Sequence, residues 1–510
     1  MLSALLAGLS SLLTVKGLLF LLLGSLLGTI VGTIPGLGGA VLLTMLLPFI
    51  YGMPVIPALS LLLAAHTGIY FSGSITAILL NTPGAPESAA TTFDGYAMTK
   101  QGKAPRALGI SAVSTTIGGW IGVALLLIVI PLMFQLIKLF QPSEYLMLAI
   151  LAIVLIGQMR SGSLTKGLLS GLFGLMISFV GYDPITGVQR FTFNLLALYN
   201  GFSITAVALG LFAFAEMFHL YSAIRPASQG AKLEIKGNVP GSRVVDGVRD
   251  VFKHPWLMIR SAILGTLLGV VPGIGGVAAN FISYGQALKT SKHPEKFGTG
   301  IPEGIIAPES SSISKEAGNL IPTVALGVPG GVGMAVLMSG FTILGIVPGP
   351  TMLTNHLDAV FAMALVIAIG SLVSSAMGLG IAPYLAKVSQ VQGQVLVPFI
   401  LALGTLGVYA ADRSVGQVAA LLGFGLVGLM MKRFHYSIPA AMIGYILGGV
   451  AEKNLYLVQQ LQGWSIFERP LTDFMVVIIL ALVIGPYIRR HKKVAEPLSE
   501  REVEPGGAKL

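Results

Sequence analysis

The 510-residue chain contains no cysteine, and Asp, Glu, Lys and Arg together make up only 10% of it. Without cysteine there is no disulfide framework, thiolate metal site or redox dithiol. A soluble protein carries roughly a quarter charged residues, so this chain lacks the surface chemistry of an ordinary solvated domain. Two signatures of catalysis are missing as well. There is no Gly-x-x-x-x-Gly-Lys-Ser/Thr phosphate loop, so the chain is not itself an ATPase, and there is no His-Glu-x-x-His zinc motif. Nothing nominates a Ser-His-Asp site. What remains is apolar: 54% hydrophobic residues and a mean hydropathy of +0.84. The apolar runs are continuous rather than alternating, which reads as an all-α polytopic membrane protein and not a β-barrel. The 65 glycines suit close helix packing in lipid. The net charge of +10 sits in loops, as the positive-inside rule expects, and is not a nucleic-acid signature.

One stretch organises the chain. Residues 28–39 read Gly-Thr-Ile-Val-Gly-Thr-Ile-Pro-Gly-Leu-Gly-Gly and return 237 residues later as Gly-Thr-Leu-Leu-Gly-Val-Val-Pro-Gly-Ile-Gly-Gly. Residues 78–84, Ile-Leu-Leu-Asn-Thr-Pro-Gly, are echoed 246 residues later by Val-Ala-Leu-Gly-Val-Pro-Gly. Two features repeated in order point to an internal duplication. Proline removes a backbone donor and glycine frees the backbone, so helices break at these places. Pro35, Gly36, Gly38 and Pro83 are the hinge positions of the first half; Pro272, Gly273, Gly275 and Pro329 are those of the second. Broken helices survive in a bilayer only where protein or a cavity satisfies the freed backbone groups. Matched breaks in two halves are the sequence mark of a transporter's binding site.

The chain divides into a first transmembrane repeat (1–224), a cytoplasmic linker (225–256), a second repeat (257–488) and a charged cytoplasmic tail (489–510). About ten to twelve spans are expected, with re-entrant pieces. Residues 17–34 and 257–271 read as spans, and 289–316 as a basic, polar connection. The short apolar stretch 3–14 reads as an interfacial segment that is retained. Equivalent loops carry opposite charge bias. The loop at 51–54 has no basic residue while its counterpart holds Lys289, Lys292 and Lys296. Lys100, Lys103 and Arg106 follow the second break of the first half, whereas no Lys or Arg follows Gly330 before residue 352. With basic loops inside, the two repeats are inverted and the N-terminus lies outside.

At these motifs the chain resembles the large membrane subunit of the tripartite tricarboxylate transporters, the TctA type. The pattern Asn-Thr-Pro-Gly-x-Pro-x-Ser-Ala-Ala-Thr-x-x-Asp-Gly-Tyr-x-x-x-Lys-x-Gly matches Asn81 to Gly102 nearly throughout. Gly-Thr…Pro-Gly-Leu-Gly matches Gly28 to Gly38, Ser-Lys-x-Pro-Glu-x-Phe-Gly-x-Gly-x-x-Glu-Gly matches Ser291 to Gly304, and Ile-Pro…Leu-Gly-x-Pro-Gly matches Ile321 to Gly330. After Ala307-Pro308-Glu309 the family pattern has small residues, an Asn pair and glycines. This chain departs from it with Ser310-Ser311-Ser312-Ile313-Ser314-Lys315-Glu316. The resemblance implies a secondary transporter of the prokaryotic cytoplasmic (inner) membrane that takes up small carboxylates on an ion gradient. It implies two partners, a small TctB-type membrane subunit of about four spans and a periplasmic TctC-type solute-binding protein. The coupling cation is expected to be sodium or a proton, with no cofactor.

A carboxylate needs hydrogen-bond donors and positive potential, and half-helix N-termini supply both. Ser74, Asn81, Thr82 and Gly84 are the substrate-binding candidates of the first half; Ser310, Ser311, Ser312 and Gly330 are those of the second. The same hydroxyls and carbonyls are candidate sodium ligands, and each Ser or Thr can equally be a cap or bond back to a helix carbonyl. Asp94, Glu303, Glu309 and Lys315 are the candidates for ion coupling or specificity. The alternative for Glu303 and Glu309 is a solvated loop in which they pair with Lys296 or Lys315. His66 reads as a packing residue rather than a proton relay. Three rival readings remain: a stand-alone anion carrier, which would not need the binding protein; an intramembrane enzyme, which would turn its substrate over; and a channel, which could not accumulate it.

Overall fold

The computed structural model describes residues 1–35, 37–157, 164–183, 185–223, 243–272, 276–388, 393–463 and 469–495. The hinge positions Gly36, Gly273 and Gly275 lie outside them, as do most of the linker and the end of the tail. The first half comprises α1 (Leu2–Leu12), α2 (Val15–Val31), α3 (Gly39–Leu46), α4 (Val55–Leu80), α5 (Thr92–Lys100), α6 (Ala104–Ile137), α7 (Pro142–Gly157), α8 (Leu164–Ser178), α9 (Ile204–Ala208) and α10 (Ala215–Ala223), with a π-helical turn, Leu209–Phe214, joining the last two. The second half comprises α11 (Val244–Lys253), α12 (Pro255–Val270), α13 (Gly276–Thr290), α14 (Glu303–Leu326), α15 (Val332–Ile343), α16 (Pro350–Asn355), α17 (Leu357–Val388), α18 (Gly393–Asp412), α19 (Val415–Arg433), α20 (Ile438–Gln462) and α21 (Pro470–Ala495). Among the described residues the only strands are the pair Gly181–Tyr182 and Gln189–Arg190, held by an Arg190–Glu452 ion pair. Five helices are long and apolar enough to cross a membrane, six if the bent pair α1 and α2 counts as one span. The chain is an all-α polytopic membrane protein.

The glycine repeats explain the packing of its centre. A Cβ on Gly24 would lie 2.4 Å from the Leu61 carbonyl oxygen, and one on Gly28 would lie 2.2 Å from that of Ala65. In the second copy a Cβ on Gly265 would meet Ser314 and Ser311, and one on Gly269 the Lys315 carbonyl at 2.1 Å. So α2 lies on α4, and α12 on α14, at a separation only glycine permits. The outer pairs repeat too. Gly8 of α1 abuts Asp358 and Ala362 at the start of α17, while Gly247 of α11 abuts Arg106 and Ile110 at the start of α6. In turn α6 packs along α14 (Gly118 on Ser310, Gly122 on Ser314), and α17 along α4 (Gly370 on Thr67, Gly378 on Phe71). Each half therefore lays a long helix, α6 or α17, against the central helix of the other.

The equivalent helices run antiparallel. His66 and Tyr70 of α4 meet Glu316 of α14, whereas Ser74, further along α4, meets Glu309, which comes earlier in α14. Likewise Thr116 of α6 bonds Ser375 of α17, and Trp120 bonds the earlier Ala368. With α4 along the membrane normal, the two repeats have inverted topology, as the loop charges indicate.

Two expected spans are half-spans. Along α4, Gly24, Gly28 and Gly32 of α2 pair successively with Leu61, Ala65 and Ile69, so α2 stops near the middle of α4. Gly39 then touches His66, and α3 runs back the way α2 came. The second half does the same: α12 reaches Lys315, Gly276 touches Lys315, and α13 returns past Ser311. After α4 and α14 the chain also folds back. Gly84 packs on Gly73, and Gly330 packs on Asn319, at the same 246-residue offset. The reversals begin at Asn81 (φ 58°) and Gly327 (φ 68°), both left-handed C-caps. Four chain reversals thus meet near mid-depth. A second departure concerns residues 303–316. They are not a polar connection but the first turns of α14, buried from Gly304 to Ala325. This helix is surrounded by protein, so it needs no apolar surface for lipid.

Candidate functional site

The four reversals enclose a cluster of ionisable side chains. Four of them, His66, Tyr70, Lys315 and Glu316, lie on α4 and α14. His66, Tyr70 and Ser74 are spaced by four residues and so share one face of α4. Lys315 and Glu316 are each 3% exposed, and His66 is 4% exposed. Glu316 accepts from Tyr70 Oη at 2.5 Å and from Lys315 Nζ at 2.6 Å; His66 Nε2 lies 3.2 Å from its other oxygen. Lys315 Nζ also sits 4.6 Å from the centre of the Tyr70 ring and 4.0 Å from Glu87. A buried carboxylate thus rests among three donors, the arrangement that compensates its desolvation.

The returning helices point their N-termini at this cluster. Gly39 at the start of α3 and Gly333 at the start of α15 both abut the His66 ring, and Gly276 at the start of α13 abuts Lys315 and Glu87. His66 Nδ1 is buried without a hydrogen-bond partner and faces Gly39, where a Cβ would stand 2.5 Å away. First-turn N–H groups and the helix dipole make such ends attractive to anions. Asn280 of α13 ties the tips together: its Nδ2 donates to the Glu87 carbonyl at 2.7 Å and its Oδ1 pairs with Ser311 at 2.9 Å.

A cavity of about 840 Å³ reaches this region, lined at its inner end by Gly38, Ala40, Pro86 and Val332 and at its outer end by Glu216, His219, Lys432, Arg433 and His435. Lys432 is ion-paired with Glu216. The inner end brings together Gly38, a hinge residue of the first half, and Val332 at the start of α15 in the second, and the outer end is basic.

The sequence-derived residues separate into groups. Glu309, 1% exposed, faces neither lysine nor solvent. It accepts from Ser74 (2.6 Å), Thr91 (2.5 Å) and Thr115 (2.6 Å). Ser311 belongs to the tips, Ser310 packs its backbone on Gly118 of α6 and has a buried, unpartnered hydroxyl, and Ser312 is buried within α14. Gly84, Gly330 and Pro329 are buried at the reversals, while Pro35, Pro83 and Pro272 are half-buried beside them. Asn81 and Thr82 are not brought to the cluster; they stand exposed at the end of α4. Asp94 is fully buried, but its oxygens accept from the N–H groups of Gly298, Gly300 and Ile301 and from Tyr284, which makes it a pin for that loop. Glu303 sits at the start of α14, bonded to Ser291 and 3.5 Å from His254. His66, Tyr70, Glu87 and Thr115 were undervalued in the sequence. The available signal was a polar stripe, His66-Tyr70-Ser74, through an otherwise apolar helix.

The model of the tripartite tricarboxylate transporter TctA family matches residues 18–443. The chain belongs to that family. A protein of Agrobacterium vitis described as an uncharacterized 52.8 kDa protein in the TAR-I ttuC' 3' region is 30% identical over 483 residues, 94% of each chain. A second from the same organism, described as an uncharacterized protein in the TAR-II ttuC' 3' region, is 30% identical over 191 residues, 38% of this chain and 79% of its own length. No solved structure matches. The chain is therefore a membrane component of a tripartite tricarboxylate transporter, and both copies of the glycine repeat fall within the family match.

Proposed function

We propose that this TctA-family chain is the large transmembrane subunit of a binding-protein-dependent secondary transporter that imports small carboxylates by ion-driven alternating access. One observation carries the reading: Lys315, Tyr70 and His66 already hold a carboxylate, that of Glu316, where the N-termini of α3, α13 and α15 converge. A substrate carboxylate competes with Glu316 for Lys315, and the helix ends receive its remaining oxygens. The net charge of the cluster stays small, so a substrate anion is bound by exchange rather than by an unpaired buried cation.

The basic outer end of the cavity supports an inward-facing conformation, since Lys432 and Arg433 lie on the side that the positive-inside rule assigns to the cytoplasm. Inverted repeats supply the means of alternation: exchanging the conformations of the two halves closes this vestibule and opens its counterpart. In this reading the protein resides in a prokaryotic inner membrane, a TctC-type binding protein delivers substrate outside, and a TctB-type subunit accompanies it in the bilayer. The test is uptake of labelled mono-, di- and tricarboxylates into proteoliposomes holding this chain and the small subunit, with and without the binding protein, under sodium or proton gradients. Uphill uptake of one carboxylate that requires the binding protein is the expected result. Uptake indifferent to the binding protein would favour a stand-alone carrier, and turnover of the substrate without accumulation would favour an intramembrane enzyme.

A further inference from the structure

We propose that Glu309 and the hydroxyls around it form a sodium site, separate from the carboxylate site and built from both repeats. The ligands come from four parts of the chain: Ser74 from α4, Thr91 from the segment after the first-half reversal, Thr115 from α6 and Glu309 from α14. Ser74 and Thr91 meet one carboxylate oxygen at 2.6 and 2.5 Å, and Thr115 meets the other at 2.6 Å. Ser88 Oγ and the Tyr70 carbonyl each stand 3.1 Å from Ser74 Oγ, which adds two more oxygens at the edge of the cage. One turn before Thr115, the Ser111 hydroxyl lies beside the same carboxylate, buried and without a hydrogen-bond partner.

The donor set selects the ion. It is oxygen only, which suits a hard cation and not a soft one. It carries a single negative charge, and no group of three or more His, Cys, Asp or Glu gathers among the described residues, so the charge matches a monovalent ion. A carboxyl built to carry a proton needs one acceptor for it. Here three hydroxyls surround the carboxylate, more than a single proton needs, and each has lone pairs to offer a cation. Rotating those hydroxyls turns the cage from a donor shell into a ligand shell without moving the backbone.

The cage is also wired to the anion site. Glu309 lies seven residues, roughly 10 Å along the helix, from Glu316. Tyr70 bridges the two, with its carbonyl at the cage and its hydroxyl on Glu316. Ser88 and Thr91 follow Glu87 in the re-entrant turn, and Glu87 faces Lys315. Sodium held here fixes that turn, and by linkage a carboxylate at Lys315 tightens sodium to the same degree.

The cage stands on geometry alone, whereas its role in coupling rests on the transport reading, so the first measurement uses no carboxylate. Binding of radiolabelled sodium to the purified chain in detergent should be saturable, displaced by unlabelled sodium and not by potassium. Glu309→Gln and, independently, Thr115→Val should each weaken it by at least about tenfold, one lost charge or ligand, while thermal unfolding shows both variants folded. A folded wild-type protein that binds no sodium overturns the assignment, as does binding that survives both substitutions. Adding a transported carboxylate should then raise sodium affinity in the wild type; unchanged affinity, with sodium still bound, would overturn the coupling and leave the site.

Discussion

The central helices α4 and α14 occupy equivalent places in the two repeats, yet they differ in chemistry. Both run beneath a glycine-rich partner, both end in a left-handed cap, and both are followed by a Pro-Gly that folds back to mid-depth. On α4 the polar face is neutral or weakly basic, Tyr70, Ser74 and His66. On α14 it is charged, Glu309, Lys315 and Glu316. The contacts that matter cross between them: hydroxyls of one half meet carboxylates of the other. Duplication has therefore preserved the packing, which glycine enforces, and let the side chains diverge into donors on one copy and charges on the other. A site made this way exists only at the interface of the repeats, where alternating access needs it.

The strongest way to break this comparison is to remove the charges from α14. Lys315→Met alone leaves Glu316 buried without its cation, at a cost of about 3–5 kcal/mol. The double variant Lys315→Met with Glu316→Gln avoids that cost. It should insert and fold, yet lose carboxylate uptake roughly a hundredfold, the loss expected for one truncated buried charge contact. Normal uptake by the folded double variant would remove the cluster from the transport site. The shared packing gives the next test. Gly28→Val and Gly265→Val should each destabilise the protein, at or above the upper end of the 1–3 kcal/mol typical of overpacking (~), because both meet helix backbone. Gly423→Ala, with nothing within 4 Å, should leave thermal unfolding in detergent unchanged. Equal tolerance at all three would contradict the close approach. The smallest effect belongs to the caps. Asn81→Ala places alanine at positive φ, roughly 1 kcal/mol, on an exposed residue away from the cluster, so thermal stability should drop slightly with uptake nearly intact. Collapse of uptake in that variant would return Asn81 to the site.

Much of the scaffold was legible in the sequence because its causes are local. Proline and glycine break helices wherever they fall, so the four reversals announce themselves at Pro35, Pro83, Pro272 and Pro329. What stayed hidden depends on surroundings. A helix is read from apolar length only if lipid surrounds it, and α14 is enclosed by α6, α12, α13 and α4, so its polar start resembled a loop. The same enclosure disguised depth: the 17-residue α2 has the length of a span but stops halfway because α3 turns back at His66. Asp94 and Glu309 look alike in sequence, two carboxylates near a break. Only the partners separate them, mainly backbone N–H groups for the first and hydroxyls of the opposite repeat for the second.

The central claim is that tips from both repeats share one carboxylate site. In this cysteine-free chain, single cysteines at Ala40 and at Val332 would line the same cavity from opposite halves. A membrane-impermeant thiol reagent applied from the cytoplasmic side should label both. A carboxylate that supports uptake should slow labelling at both positions in the same concentration range. Protection at one position only, or at neither, while that carboxylate is still transported, would contradict a shared site.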